Sequence, residues 1–175
     1  LHPADDYHDP VADGDLKSSR TFAAMPDPFY ISISTESHVA EARRDALLLA
    51  QQLGFRRTDA YYLATAVTEL ATNIVRHAGC GEIRLSPLTD YGTAGIEVIA
   101  SDTGPGIADI DQALRDGYST TGGLGGGLPG VSRLMDELEI HSEPGRGTCI
   151  CARKWAAARP IPDHDLLPLH PVTSC

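Results

Sequence analysis

The amino-acid sequence predicts a two-layer α/β sandwich of the α+β kind, with helices on one face of a mixed, mostly antiparallel sheet. Three observations lead to this fold class. Segments that alternate apolar and polar side chains, as strands do, lie at both ends of the central region. Between them, two long segments repeat apolar residues at helical spacing. The predicted elements then follow in the order strand, helix, helix, strand, strand, helix, strand, strand.

The first three elements are a strand and two helices. Residues 29–34 alternate apolar and polar side chains and predict the strand. A helix is predicted to begin after Thr35 or Ser37 and to end at Gly54, a residue type that favours helix C-termini. A second helix is predicted over 58–78, because its apolar residues recur at alternating spacings of four and three.

The second half of the region supplies the remaining strands. Residues 82–88 and 96–101 predict a strand pair joined by a tight turn. After a glycine-rich stretch, a helix is predicted over 128–138. A closing hairpin is predicted to join 138–142 to 148–154.

Length and composition indicate one globular domain. The chain has 175 residues, of which 42% are hydrophobic and 22% charged, as in ordinary globular proteins. Residues 1–27 are rich in Asp, Pro, Gly and Ser, and residues 156–175 contain several prolines. Both segments are therefore predicted to be disordered, which leaves 28–155 as the folded domain.

Charge and apolar pattern argue against several classes of protein. The net charge of −10 disfavours nucleic acid as a partner, because neutralising phosphates needs a surplus of Lys and Arg. No apolar run approaches the about 18 residues of a membrane span, and no secretory signal is recognisable. A cytoplasmic protein with a protein partner is therefore expected. The cysteines form no Cys-x-x-Cys pair, so a zinc site is not expected, and Cys149 and Cys151 are expected to share a strand face as reduced thiols.

A polar stripe on the second predicted helix is the first candidate site. Glu69, Asn73 and His77 are four residues apart, which places them on one helix face, about 100° from the apolar stripe. A carboxylate can orient or deprotonate a hydroxyl nucleophile, and an amide oxygen is a suitable hard ligand for Mg²⁺. For this helix taken alone, a solvated polar face is the simpler interpretation.

A glycine motif follows the predicted strand 96–101. The segment 102–106 reads Asp-Thr-Gly-Pro-Gly, which indicates a backbone that turns sharply and leaves room for a flat ligand. Asp102 can then accept a hydrogen bond from an exocyclic amine. A turn closed by a local hydrogen bond of the aspartate is the alternative interpretation.

A longer glycine-rich segment, 119–128, leads directly into the predicted helix 128–138. Successive backbone N–H groups in such a segment can bind phosphate, although a mobile linker would have a similar composition. No Gly-x-x-x-x-Gly-Lys-Ser/Thr is present, which excludes a P-loop. A Gly-x-Gly-x-x-Gly match at 125–130 is discarded, because no strand precedes it and Pro129 lies inside it.

The fourth motif is the segment 145–148, Gly-Arg-Gly-Thr, before the last predicted strand. If that strand neighbours 96–101, the Thr148 hydroxyl lies beside Asp102. A plain hairpin turn accounts for the same residues equally well.

Taken in order, these four motifs resemble the nucleotide-binding boxes of the GHKL superfamily, which includes gyrase, heat-shock chaperones, histidine kinases and MutL. Helix 58–78 resembles the N box, 102–106 the first glycine box and 123–127 the second. Thr148 is at the position where the family has a threonine near the adenine. The resemblance covers 29–155 and implies the GHKL, or Bergerat, ATP-binding fold.

Within that superfamily, the segment 116–137 and the closing Lys154-Trp155 resemble the RsbT-type anti-sigma regulatory serine/threonine kinases more than RsbW or SpoIIAB. This resemblance implies a kinase of bacterial stress or sigma-factor signalling that uses ATP and Mg²⁺. It implies a STAS-domain protein as substrate and a phosphorylation that separates the two proteins. The kinase would then engage a PP2C-type phosphatase, which binding activates.

The resemblance also implies roles for single residues. Glu69 would be the catalytic base, Asn73 would coordinate Mg²⁺, and Asp102 would bind the adenine amine with help from Thr148. The remaining implied residues are the glycines that let the base approach and those of the lid and phosphate loop: Gly104, Gly106, Gly123, Gly125 and Gly127.

One departure from the family pattern concerns Gly126, where relatives have an apolar residue between the lid glycines. The extra glycine is predicted to loosen the lid by about 1 kcal/mol. This supports an alternative function, a nucleotide-dependent anti-sigma-type module that sequesters a regulator with little or no kinase activity. Glu69 favours the kinase, because binding alone needs no base at that position.

Overall fold

The computed structural model describes residues 25–115 and 126–157. The helices and strands follow one another in this order: β1 (Phe29–Ile33), α1 (Glu36–Gln52), α2 (Arg57–Asn73), a π-helical turn (Ile74–Ala78), β2 (Gly81–Asp90), β3 (Thr93–Asp102), α3 (Ile110–Ala113), α4 (Leu128–Leu134), β4 (Glu137–Glu143) and β5 (Gly147–Trp155). All of them lie inside the predicted domain 28–155. The predicted disordered segments, 1–27 and 156–175, lie almost entirely outside the described residues.

The sheet has five strands in the order β1-β2-β3-β5-β4. Each neighbouring pair is antiparallel, which confirms the predicted mostly antiparallel sheet, and no parallel pairing occurs among the described strands. The last strand, β5, inserts between β3 and β4. Its register places Thr148 directly opposite Asp102. The two residues are therefore brought together by strand order.

The helices cover one face of the sheet, as predicted. Apolar residues of α1 and α2 pack with every second residue of the strands, since successive strand residues point to opposite faces. The largest completely buried side chains come from both layers: Ile33, Leu49, Leu63, Leu70, Ile83, Leu85, Ile96, Val67, Val98 and Val131. Because this core buries one face of α2, the opposite face of that helix is available for other contacts. Among the described residues, no helix is both long and apolar enough to cross a membrane.

The other face of the sheet is polar. Glu97 is central to it and accepts hydrogen bonds from Arg84 at 3.4 Å and from Arg153 at 3.0 Å. Cys149 and Cys151 share this face, as predicted, and are free thiols. Burial first and the neighbouring Glu97 second raise the pKa of Cys151 to about 11. The Cys151 thiol is therefore protonated at neutral pH and unreactive.

Two helix ends differ from prediction. The predicted helix 58–78 is α-helical only to Asn73, and its last turn is π-helical, with the Gly79 N–H bonded to the Ile74 carbonyl at 2.9 Å. The predicted helix 128–138 ends at Leu134. It ends early because the next residues pair with β5: the Asp136 N–H donates to the Arg153 carbonyl at 2.9 Å.

Candidate functional site

The end of β3 is the centre of the candidate site. Asp102 is the last residue of that strand and is half-buried, with Gly81 of β2 opposite it on one side and Thr148 of β5 on the other. The Asp102 Oδ1 accepts a hydrogen bond from the Gly104 N–H at 2.8 Å, which is the local turn that the sequence allowed. The second carboxylate oxygen makes no hydrogen bond to a described residue, so it can accept one from a ligand amine.

Thr148 is held by a small hydrogen-bond network around Ser142. The Ser142 hydroxyl donates to the Gly147 carbonyl at 3.0 Å, accepts from the Ile107 N–H at 2.8 Å and lies 2.9 Å from the Thr148 hydroxyl. A hydroxyl has one proton, so Ser142 cannot also donate to Thr148. Thr148 must therefore be the donor in that pair. Its oxygen keeps its lone pairs and, like Asp102, is an acceptor toward a ligand.

Sequence reasoning did not identify Ser142, because nothing local distinguishes this half-buried serine of β4 from any other polar strand residue. We expect Ser142→Ala to lower ATP affinity about tenfold, because it leaves Thr148 free to turn and the Ile107 N–H without its acceptor. Titration calorimetry with ATP measures the change. Ser86→Ala, on the polar face of β2, is the matched control and should bind ATP normally. Unchanged affinity in Ser142→Ala would contradict the assigned network.

The glycines of the Asp102 loop permit close backbone packing. A Cβ at Gly104 would lie 2.6 Å from the Cβ of Ala78, closer than side chains approach. Gly106 has φ +72°, and a Cβ there would collide with the Glu143 carbonyl oxygen. Gly147 has φ +103°, and its Cβ would collide with the Asp102 carbonyl oxygen. All three glycines are thus required by close contacts with distant segments: Gly104 with Ala78, Gly106 with Glu143 and Gly147 with Asp102.

The π-helical turn connects α2 to this loop. It places Ala78 against Gly104, and Ile74 lies on the Gly81 side of Asp102, where a Cβ on Gly81 would be 2.9 Å from the Ile74 Cγ2. A π-helical turn holds more residues than an α-helical turn, so His77 does not continue the line of Glu69 and Asn73. The predicted stripe of three residues therefore ends at Asn73, and His77 is exposed.

Glu69 and Asn73 lie on one face of α2, four residues apart, as predicted, and both are half-buried. Ala78, which lies against Gly104, is nine positions after Glu69, so Glu69 is about 13 Å along the helix from that end of the loop. An extended nucleotide triphosphate spans a comparable distance. The structure thus allows the nucleobase of a bound nucleotide to lie at Asp102 while its terminal phosphate lies near Glu69.

The residues present suit Mg²⁺ held mainly by a nucleotide. The described residues contain no group of three or more His, Cys, Asp or Glu side chains that could hold a metal ion. Mg²⁺ commonly takes only one or two protein oxygens and completes its shell with phosphates and water. The amide oxygen of Asn73, with Glu69 one turn away, can supply that contribution.

The second glycine motif is described only in part. Gly123 and Gly125, predicted lid residues, lie outside the described residues, whereas Gly127 has φ +68° and precedes α4. Gly126 also has positive φ, +75°, and a Cβ there would lie 3.4 Å from an Arg133 guanidinium nitrogen. An apolar side chain at position 126 would thus be strained in this conformation. Gly126 therefore also permits the positive φ of the backbone just before α4.

Comparison with known proteins agrees with this geometry. Residues 33–154 match the histidine kinase-like ATPase domain family. The chain is 47% identical over 131 residues to the serine/threonine-protein kinase RsbT of Bacillus subtilis, a match covering 75% of this chain and 98% of RsbT. It is 31% identical over 129 residues to an anti-sigma F factor of a Thermoanaerobacter species, covering 70% of this chain and 89% of that protein.

Among solved structures, the fold is similar to a crystal structure of RsbU and RsbW domains from Mycobacterium tuberculosis. The TM-score is 0.52 at 17% identity, and the match covers 78% of this chain but 35% of that longer chain. At this identity, the likeness concerns the fold alone. It agrees with the predicted two-layer sandwich.

Proposed function

We propose that this chain, which belongs to the RsbT-type serine/threonine kinases of the histidine kinase-like ATPase family, phosphorylates a STAS-domain protein with Mg-ATP. The observation that supports this most directly is the arrangement of two carboxylates. Asp102 is at the loop where β3 ends, and Glu69 lies on α2 beside Asn73, about 13 Å along the helix from Ala78, which lies against Gly104 of that loop. One carboxylate is thus available for the base of the nucleotide and the other for the reacting hydroxyl.

Recognition of adenine would depend on two acceptors. The free oxygen of Asp102 accepts from the exocyclic amine, and the Thr148 hydroxyl, oriented by Ser142, accepts a second hydrogen bond directly or through water. Gly104 and Gly106 keep the loop thin, so the flat base can lie against backbone. Guanine presents a carbonyl oxygen in place of that amine, which would face the free oxygen of Asp102 as acceptor against acceptor, so adenine is preferred.

Transfer would then use the α2 face. Glu69 takes the proton of the partner's serine or threonine hydroxyl, and that oxygen bonds to the γ-phosphorus. The bond between the γ-phosphorus and the β–γ bridging oxygen breaks, and ADP leaves with the electron pair. Asn73 holds Mg²⁺, whose charge would neutralise the phosphate oxygens. The protein's part is mainly to position the two oxygens and to accept the proton.

Phosphorylation would also separate the partners. A phosphoryl group adds about −1.5 to −2 charges to the substrate. This chain already has a net charge of −10, so the phosphorylated partner is repelled more strongly than the unmodified one. The released kinase is then free to bind and activate a PP2C-type phosphatase. Since the reaction consumes ATP, we place it in the cytoplasm.

A second candidate function is a nucleotide-dependent module that sequesters a regulator with little or no transfer. The observation in its favour is the 31% identity to proteins named anti-sigma F factor. Both functions need Asp102 and Thr148, but only the kinase needs Glu69. The two are therefore distinguished by transfer and not by ATP binding.

The test is transfer itself. The protein is mixed with Mg-ATP and a STAS-domain protein encoded beside it, and intact mass reveals any added phosphate. We expect one phosphate on the STAS-domain protein, none when EDTA removes the metal and none with Glu69→Ala. ATP binding without any phosphate on the partner would favour the sequestering module.

A further inference from the structure

A groove at the far end of α2 lies away from the nucleotide site. It runs between the C-terminal half of α1 and the first turn of α2 and contains an open cavity of about 360 Å³. The lining residues are Leu47, Gln51, Phe55, Arg57, Ala60 and Tyr61. Arg57 begins α2, twelve residues before Glu69, so the groove is separate from the residues proposed for transfer. Its floor is apolar, and its rim is polar and exposed.

The rim of this α1–α2 groove is positively charged. The Arg57 guanidinium lies 5.7 Å from the centre of the Tyr61 ring. Its hydrogen bond and charge, with a smaller contribution from Arg43, hold the pKa of the Tyr61 phenol below its usual value. Arg43 is one helical turn before Leu47 on α1, so a second cation lies close to the groove, although only Arg57 lines it.

These two arginines differ from their neighbours in having no acidic partner among residues 25–115 and 126–157. Arg44 lies 3.8 Å from Asp45, and Arg56 lies 3.0 Å from Asp59. Within the described part of the chain, no carboxylate is within 4.0 Å of the guanidinium of Arg43 or Arg57. In a chain with a net charge of −10, such a site attracts an acidic segment.

The sequence of this chain contains a segment of the required chemistry. Residues 1–24 include five aspartates against one lysine and one arginine, and Tyr7 lies between Asp6 and Asp9. An aromatic side chain flanked by carboxylates complements an apolar cavity bordered by arginines. Residues 158–175 contain two aspartates and one arginine, and their apolar residues are mostly aliphatic, so that segment is the poorer match.

The first residue that the structure describes, Met25, lies on the same side of the domain as the groove. Met25 Sδ lies 3.5 Å from the Thr89 hydroxyl, close to the end of β2. The turn after β2 faces the loop between α1 and α2 across a second cavity of about 550 Å³, lined on one side by Gln52–Gly54 and on the other by Gly92–Ala94. The 18 residues from Tyr7 to Met25 can extend about 60 Å. The segment can therefore reach the groove.

We propose that residues 5–9 of this chain bind in the α1–α2 groove, with Tyr7 in the cavity and the neighbouring aspartates against Arg57 and Arg43. When bound, residues 5–9 would cover the α1–α2 groove. They would therefore compete with an acidic region of another protein for the same groove. The proposal does not depend on kinase activity, since no residue of the nucleotide site takes part.

The test uses the full chain labelled with ¹⁵N and follows the backbone amide signals of Gln51, Phe55 and Tyr61. One variant changes the aspartates of the proposed contact: Asp5→Asn, Asp6→Asn and Asp9→Asn. A matched control changes two aspartates of the same segment outside the contact: Asp13→Asn and Asp15→Asn. We expect the groove signals to shift in the first variant and to stay in place in the second. High salt should reproduce the shift in the unmodified chain.

A peptide of residues 1–12 is then titrated onto the triple variant. We expect it to return the groove signals toward their original positions. Adding Arg57→Gln should weaken peptide binding about threefold to fivefold, whereas Arg44→Gln, at an arginine paired with Asp45, should not. Groove signals identical in the unmodified chain and the triple variant would overturn the proposal. It would also be overturned if those signals responded to Asp163→Asn and Asp165→Asn instead, since residues 158–175 would then be the occupant.

Discussion

We expect Asp102→Asn to abolish measurable ATP binding, a loss of at least about 100-fold, while the loop keeps its shape. Asparagine retains one carbonyl oxygen, which can still accept from the Gly104 N–H as Asp102 does at 2.8 Å. The second oxygen becomes an NH₂ group, so two donors then face each other where the adenine amine would bind. Leaving such groups without acceptors costs about 1–3 kcal/mol for each. Titration calorimetry measures the loss of affinity.

The same substitution at Asp109 is the control for this prediction. Asp109 is in the same connecting region and accepts the Gln112 N–H at 2.8 Å, a role that asparagine also fills. Asp109→Asn should therefore bind ATP as the unmodified chain does. If both variants bound ATP normally, Asp102 would not be the adenine acceptor.

We expect Glu69→Ala to retain ATP binding and to lose phosphate transfer by about 10²–10⁴-fold, the usual contribution of a general base. Glu69 lies on α2, about 13 Å along the helix from Ala78, which lies against Gly104, and so need not contact the adenine base. Glu69→Gln should behave in the same way, because it keeps the size of the side chain and removes its capacity to take a proton. Steady-state transfer at saturating ATP, with affinity measured in parallel, provides the comparison.

Glu139→Gln, an exposed glutamate of β4, is the control for the loss of one negative charge. It should leave transfer unchanged. A parallel loss of ATP affinity in Glu69→Ala and Asp102→Asn would contradict the assigned roles, in which Asp102 binds adenine and Glu69 acts on the partner's hydroxyl. The role assignments would then be wrong even though the fold is correct.

Much of the fold could be predicted from the sequence because local pattern and tertiary structure agree there. The alternation in 29–34 and the apolar spacing in α2 correspond to buried faces of the final structure. The Asp102 motif could be recognised because Gly-x-Gly after an apolar strand indicates a sharp turn, and Gly106 has the positive φ that such a turn requires. A turn of this kind is visible in a sequence, whereas the contacts of Gly104 with Ala78 and of Gly106 with Glu143 are not.

The features that were missed depend on contacts between distant segments. Nothing in the order of residues from Ile74 to Ala78 distinguishes a π-helical turn from an α-helical one, and its geometry accompanies the contact between Ala78 and Gly104. The early end of α4 is set by pairing with β5, where Leu138 is opposite Ala152. Ser142 and Gly147 become meaningful only when β5 lies beside β3.

The most direct measurement of the central claim is a single turnover with the nucleotide already bound. The kinase is loaded with one equivalent of γ-labelled ATP and Mg²⁺, mixed with the STAS-domain protein, and quenched at short times. The proposal predicts that label appears on a serine or threonine of the partner as ADP forms in equal amount, and that Glu69→Gln, equally loaded, transfers none. Label that passes to water, or to the partner at the same rate with Glu69→Gln, would contradict it.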